Sequence, residues 1–217
     1  MMTKASVAEH VARLLEKYPD LAVLRQDMAD AFSVWSTSYQ QGGKTLVCGN
    51  GGSASDSEHI VGELMKGFRK RRPVDPEFAA TLQTVAGSEG EYAAAHLQGA
   101  LPAISLVSQT SLLTAFINDV GPDLMFAQQV YGYGKPGDVL VALSTSGQAP
   151  NIVYALQTAA AVGMNTIGFT GRDGGRMKEL CDVCLIAPWQ ETADIQERHI
   201  AMYHTLCALL EDTFFET

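Results

Sequence analysis

The 217-residue sequence contains no run of about 18 consecutive apolar residues, so no membrane-spanning helix is expected. Its first fifteen residues mix His, Glu, Arg and Lys instead of placing a basic stretch before an apolar one, and no signal peptide is read there. Cysteine is scarce. The four present (Cys48, Cys181, Cys184 and Cys207) lie in apolar, strand-like or helix-like surroundings, which predicts a reduced, cytoplasmic protein with no disulfide framework. Cys181-Asp-Val-Cys184 is a lone CxxC with no second pair nearby, and it reads as two inward positions of a strand region rather than a zinc or redox site. Positive charge is also short: Lys and Arg number 15 against 24 Asp and Glu, a net charge of −9. That balance argues against a nucleic-acid backbone as ligand, and the basic run Arg69-Lys-Arg-Arg72 reads as a solvated helix end. It leaves room for an anionic metabolite, provided that backbone N–H groups, hydroxyls and helix N-termini hold it locally.

With 47% apolar and 18% charged residues the chain is neither disordered nor a coiled-coil rod, and its length suits one globular unit spanning 1–217. Residues 1–41 read as two helices, with Val7, Val11, Leu14 and Leu15 on the first and Leu21, Leu24, Met28, Phe32 and Trp35 on the second. The core, 42–190, carries short apolar strands at Lys44–Cys48, Pro102–Leu106, Asp138–Leu143, Asn165–Thr170 and Val183–Ala187, with helical stretches between them. A long helix, Thr192–Phe215, fills 191–217. Strands alternating with helices predict an α/β fold with a doubly wound, parallel, five-stranded sheet in a flavodoxin-like three-layer arrangement, capped by the N-terminal helical pair. Ligands in such sheets bind beyond the carboxyl ends of the strands.

Many of the twenty glycines gather where strands turn into helices. Asn50-Gly-Gly-Ser53 follows the first strand and Ser144-Thr-Ser-Gly147 follows the Asp138 strand, so both loops should share one edge of the sheet. Glycines allow close backbone approach, and the hydroxyls can donate to phosphate oxygens without a lysine. Either loop alone also fits a tight turn or an N-cap cluster. Neither a G-x-G-x-x-G fingerprint nor a Gly-Lys-Ser/Thr loop is present, which disfavours nucleotide chemistry. On the helix after the first loop, His59 and Glu63 are four residues apart and share a face; on the last helix, Gln196 and His204 are eight apart and reach one point only if their side chains lean together or come from different subunits. Such a set suits a divalent ion, zinc most commonly, although His59 and Glu63 alone also fit an exposed hydrogen-bonded pair, and His199 and Glu197 are equally plausible by position.

Cys48-Gly-Asn-Gly-Gly-Ser53, His59, Glu63, Asn118-Asp119, Ser144-Thr-Ser-Gly147, Thr170-Gly-Arg-Asp-Gly-Gly175, Ile195-Gln-Glu197 and His204 together resemble the phosphoheptose isomerase family of sugar-isomerase (SIS) domains, in unbroken order from about residue 20 to the end. The resemblance implies an aldose-ketose isomerase that converts D-sedoheptulose 7-phosphate to D-glycero-D-manno-heptopyranose 7-phosphate through an enediol, feeding nucleotide-activated heptose synthesis. It implies Glu63 and His204 as catalytic residues. His59, Glu63, Gln196 and His204 become ligands of one zinc per subunit, and Asn50, Gly51, Gly52, Ser53, Glu63, Asn118, Asp119, Ser144, Thr145, Ser146 and Gln196 become substrate contacts. It further implies a homotetramer with sites between subunits. Alternatives are an isomerase for another phosphosugar, or a non-catalytic phosphosugar-binding protein that associates with a replication initiator. The chain departs from the pattern in three places. Ala149-Pro150 stands where the family commonly has a further hydroxyl, Gly67 stands where it often has a basic residue, and Pro73–Gly99 is longer than the usual connection. That insert reads as a surface helix, or else as a lid or a neighbouring-subunit contact.

Overall fold

The computed structural model describes residues 4–215, with side chains from Val7 onward; the outermost residues of the one-unit reading lie outside these. Five strands, β1 (Thr45–Gly49), β2 (Ala103–Ser105), β3 (Val139–Leu143), β4 (Asn165–Gly171) and β5 (Val183–Ala187), form one sheet in the order β2-β1-β3-β4-β5. Every neighbouring pair is parallel, as the alternation of strands and helices requires. β1 and β3 are buried along their whole length, which explains their unbroken apolar sequences: both faces of the sheet are covered.

On one face Val47, Val139, Val141, Ile167, Phe169 and Leu185 meet the helices α1 (Lys4–Lys17), α2 (Arg25–Gln40), α3 (Gly52–Met65) and α9 (Thr192–Phe214). On the other, Leu46, Cys48, Leu140 and Ala142 meet α6 (Met125–Tyr133), α7 (Pro150–Val162) and Met177 of the short α8 (Met177–Leu180). The N-terminal region differs from the expected two helices. Pro19 starts a 3-10 turn, Pro19–Leu24, and α2 begins only at Arg25; Leu21 and Leu24 are buried by that turn. α2 is pinned to the sheet by a buried chain of hydrogen bonds, from Trp35 Nε1 to Thr45 Oγ1 (2.7 Å) and from Thr45 Oγ1 to Tyr39 Oη (2.7 Å).

Two elements add little to this packing. The insert forms α4 (Pro76–His96), N-capped by Asp75, and Gly87 (φ 56°, ψ −129°) folds it back on itself. Gly90, its one buried residue, meets the backbone of Leu82 and Gln83, a contact that a side chain at 90 would prevent. Phe78, Val85, Tyr92 and Leu97 stay exposed. α5 (Thr110–Asp119) buries no residue at all and touches this packing through the half-buried Leu113.

The basic run is not a solvated helix end. α3 stops at Met65, and Arg72 is fully buried. Its Nε donates to Glu211 Oε1 (2.8 Å), Nη1 to Leu64 O (2.8 Å) and Nη2 to Glu63 O (2.9 Å). Arg72 thereby pairs the Glu63 carbonyl at the end of α3 and shares the Leu64 carbonyl with the Leu101 N–H (3.0 Å). Burial alone raises the Glu211 carboxyl, but the N–H groups of Phe68 and Arg69 and the Arg72 guanidinium outweigh it and hold the carboxyl below its ordinary value. Lys70 pairs with Asp212 at 2.9 Å, so charge complementarity with α9 pulls the run inward.

α9 also buries His199, whose Nε2 donates to Thr170 O at 3.1 Å while burial pushes the imidazole down to about 4. Two outcomes follow from these buried groups. Arg72→Met strands Glu211 and should lower the unfolding free energy by about 3–5 kcal/mol in urea titration; an unchanged midpoint would contradict the buried pairing. Unfolded histidine titrates near 6.5, so below that pH the unfolded chain takes up a proton that native His199 refuses, and stability falls as pH drops toward 4. The wild-type protein should lose about 3 kcal/mol more between pH 7 and pH 4 than His199→Asn does, and an equal loss in both would show that His199 is solvated.

Candidate functional site

The sheet order places the topological switch between β1 and β3, the position at which doubly wound sheets bind ligands. Both glycine and hydroxyl loops lie there, and they are tied together: Asn50 and Asn151 exchange side-chain hydrogen bonds of 2.9 and 3.0 Å. Gly51 takes φ 57° immediately before α3, a turn that a side chain resists, and the backbone N–H groups of the first turn of α3 open at its positive end. Ser53 is buried inside that turn.

In the second loop Ser144 is buried, with its N–H on Phe169 O (3.0 Å), while Thr145 and Ser146 are half-buried. Gly147 (φ 63°) lies so close to Gly174 that a Cβ would strike the Gly174 carbonyl. This close approach explains the Gly-Gly of the Thr170–Gly175 segment, which packs under the loop. Ala149 occupies the N-cap of α7 and supplies no hydroxyl. Arg172, which the sequence reading assigned no role, lines a cavity of about 390 Å³ with Ser146, Gln148, Asp173 and Gln190. It has φ 57°, the one non-glycine residue in the left-handed region among the described residues.

α3 and α9 run side by side in the same direction, and seven residues along each from the Gly52–Gln196 contact, about 10 Å of rise, they bring His59 up to Tyr203 and His204. His59 Nε2 lies 3.0 Å from Glu63 Oε1 and 3.5 Å from His204 Nε2. Among the described residues His59, Glu63 and His204 form the one cluster of His, Cys, Asp and Glu with metal-holding geometry, their candidate ligand atoms all within 4.8 Å of one another. Glu63 is buried, and its Oε2 has no hydrogen-bond partner. Two imidazole nitrogens and a carboxylate oxygen converging beside an unpaired buried oxygen fit a divalent cation. Burial, reinforced by the neighbouring His59, holds His204 below the ordinary histidine value.

Other expected positions fall elsewhere. Gln196 covers Gly52 at the loop end of α9, about 12 Å of helix rise from His204. Asn118 and Asp119 bond to each other (2.9 Å) at the exposed end of α5, and among the described residues no hydrogen bond joins them to either loop. His199 faces Thr170, and Glu197 is exposed and bonded to Arg198. The four cysteines are free thiols. Cys181 and Cys184 point to one spot over Gly168, where a Cβ would meet their sulfurs at 2.7 and 3.3 Å; Cys181 ends α8 and Cys184 lies on β5. The sequence reading also passed over Asp56 and Tyr203, because no spacing rule links positions 56, 59 and 203.

The sequence profile of the SIS domain matches residues 8–97 and 92–171. A phosphoheptose isomerase of Rhodospirillum rubrum is 41% identical over 185 residues, 85% of each chain, and one of Burkholderia pseudomallei is 42% identical over 190 residues, 88% of this chain and 82% of the relative. The structure is similar to that of a phosphoheptose isomerase from Neisseria gonorrhoeae, with 32% identity, a TM-score of 0.73 and coverage of 96% of this chain and 98% of the other. At these identities and coverages, the chain belongs to the SIS domain family and, within it, to the phosphoheptose isomerases.

Proposed function

We propose that this protein isomerises D-sedoheptulose 7-phosphate to D-glycero-D-manno-heptopyranose 7-phosphate, a step toward nucleotide-activated heptose. The observation that carries the reading is the convergence of His59, Glu63 and His204 about two turns along α3 from a pair of phosphate-type loops. That span suits a seven-carbon sugar whose phosphate rests at Asn50–Ser53 and Ser144–Ser146, with Gln196 above Gly52 touching the sugar. A binding module without chemistry has no need of the two imidazoles beside a buried carboxylate.

Aldose-ketose isomerisation moves one proton between C1 and C2 and another between O1 and O2. Glu63 carries the carbon-bound proton: its Oε1 faces His59, and its buried Oε2 has no hydrogen-bond partner, which leaves the carboxylate without a neutralising donor there. His204, held below the usual histidine value by burial, suits proton transfer at the oxygens or in ring opening. The ligands of one zinc per subunit would be His59, Glu63 and His204, joined by Gln196 if its amide turns toward them, and zinc when bound supplies a charge that polarises the sugar oxygens. Ser144, Thr145, Ser146 and the backbone of Gly51 and Gly52 orient the phosphate, and Arg172 adds a cation to the cavity that Ser146 lines.

The assembly in this reading is a homotetramer with sites between subunits. Exposed apolar groups on α4 and α5, including Val85, Tyr92, Leu112 and Ile117, favour it, as does the placement of Asn118 and Asp119, which would reach a neighbouring copy's site. The described residues include no helix long and apolar enough to cross a membrane, and the reading places the enzyme, a single SIS unit, in the cytoplasm.

Purified protein should convert sedoheptulose 7-phosphate, lose activity on chelation and regain it with zinc. Glu63→Gln and His204→Ala should each reduce turnover by about 10²–10⁴-fold, with light scattering still giving four times the chain mass. Near-normal turnover in both variants would contradict the assigned chemistry.

A further inference from the structure

Tyr203 is fully buried one residue before His204, and its hydroxyl meets two groups of α3: His59 Nδ1 at 2.8 Å and Asp56 Oδ1 at 3.3 Å. Asp56 is itself buried, at 8% exposure, so little water competes for its bond with Tyr203. The three rings of Tyr203, His59 and His204 are mutually edge-on, with centroids 4.9–5.5 Å apart and interplanar angles of 78–85°. Tyr203 therefore wedges both imidazoles in place through packing as well as through its hydroxyl.

A phenolic hydroxyl has one proton, and an ionised carboxylate can only accept. If that proton is donated to Asp56, the tyrosine oxygen must accept from His59, and the imidazole must carry its hydrogen on Nδ1. In the neutral imidazole Nε2 is then a bare lone pair, directed at Glu63 Oε1 (3.0 Å) and His204 Nε2 (3.5 Å). Two acceptors face each other there with no proton between them, and a cation completes the arrangement. In the opposite arrangement the tyrosine donates to Nδ1 and His59 donates from Nε2 to Glu63. The Asp56 carboxylate would then face a buried hydroxyl oxygen with no hydrogen between them, which costs the desolvation of both groups.

We propose that Tyr203 is a positioning residue for the metal cluster: bridging Asp56 and His59, it fixes the His59 tautomer and ring orientation that present Nε2 to a divalent cation. The inference rests on the metal-dependent reading above and adds to it the support behind the ligand. Partners of this kind on the far nitrogen of a ligating histidine typically change metal affinity by about 10–100-fold.

The test uses the full-length protein with 15N-labelled histidine, stripped of metal for nitrogen NMR at pH 8, and then titrated with zinc against a chelator of known affinity. Wild-type His59 should hold its proton on Nδ1. Tyr203→Phe, which removes only the oxygen, should move the proton to Nε2, where Glu63 accepts it, and should weaken zinc binding by about 10–100-fold. Asp56→Asn leaves the tyrosine and its packing in place and should shift both readouts in the same direction. Zinc binding by wild-type protein with the His59 proton on Nε2, or unchanged zinc affinity in both variants, overturns the positioning role alone. A wild-type protein with the Nδ1 proton but no measurable zinc binding contradicts the metal reading and overturns the positioning role with it.

Discussion

Arg72 closes the end of α3 at the carbonyls of Glu63 and Leu64 and is bonded in turn to Glu211 near the end of α9. The site needs those two helices in register, because α3 supplies His59 and Glu63 and α9 supplies Tyr203 and His204. A buried guanidinium bonded to both helices cannot slide without leaving a charge unpaired, which makes the register a matter of several kcal/mol. At the other end Gln196 fills the space that the missing side chain of Gly52 leaves, so the helices are matched at two points with the His/Glu/His cluster between them.

An acidic chain holding a sugar phosphate is reconciled by locality. The two loops end β1 and β3, the neighbouring strands at the switch point, and there the first turns of α3 and α7 and a group of hydroxyls face one space. The field of the whole molecule matters less than these oriented groups, because dipoles and donors at hydrogen-bond distance act within a region from which water is partly excluded. The Asn50–Asn151 pair keeps the loops at a fixed separation, and the Thr170–Gly175 segment supports the second loop from below at Gly147.

The five strands were legible from short apolar runs ending in glycine or hydroxyl loops, since burial on both faces leaves β1 and β3 almost no polar residue. His59 and Glu63 were legible from helical spacing. What stayed hidden depends on partners far along the chain. Arg72 looked like the last of four solvated bases because the carboxylate that buries it lies 139 residues away. Tyr203 carried no signal of its own because Asp56 and His59 lie 147 and 144 residues away. The fold-back of α4 at Gly87 was equally invisible: a helix whose apolar residues remain exposed gives no periodicity toward a core within its own chain.

In the proposed reaction Glu63 moves a proton between two carbons of a phosphorylated heptose. The most direct measurement is mass spectrometry of sedoheptulose 7-phosphate and its product after turnover in deuterium oxide. The product should carry one carbon-bound deuterium, absent with Glu63→Gln. Product formed at a normal rate by that variant, with the label still incorporated, would contradict that role.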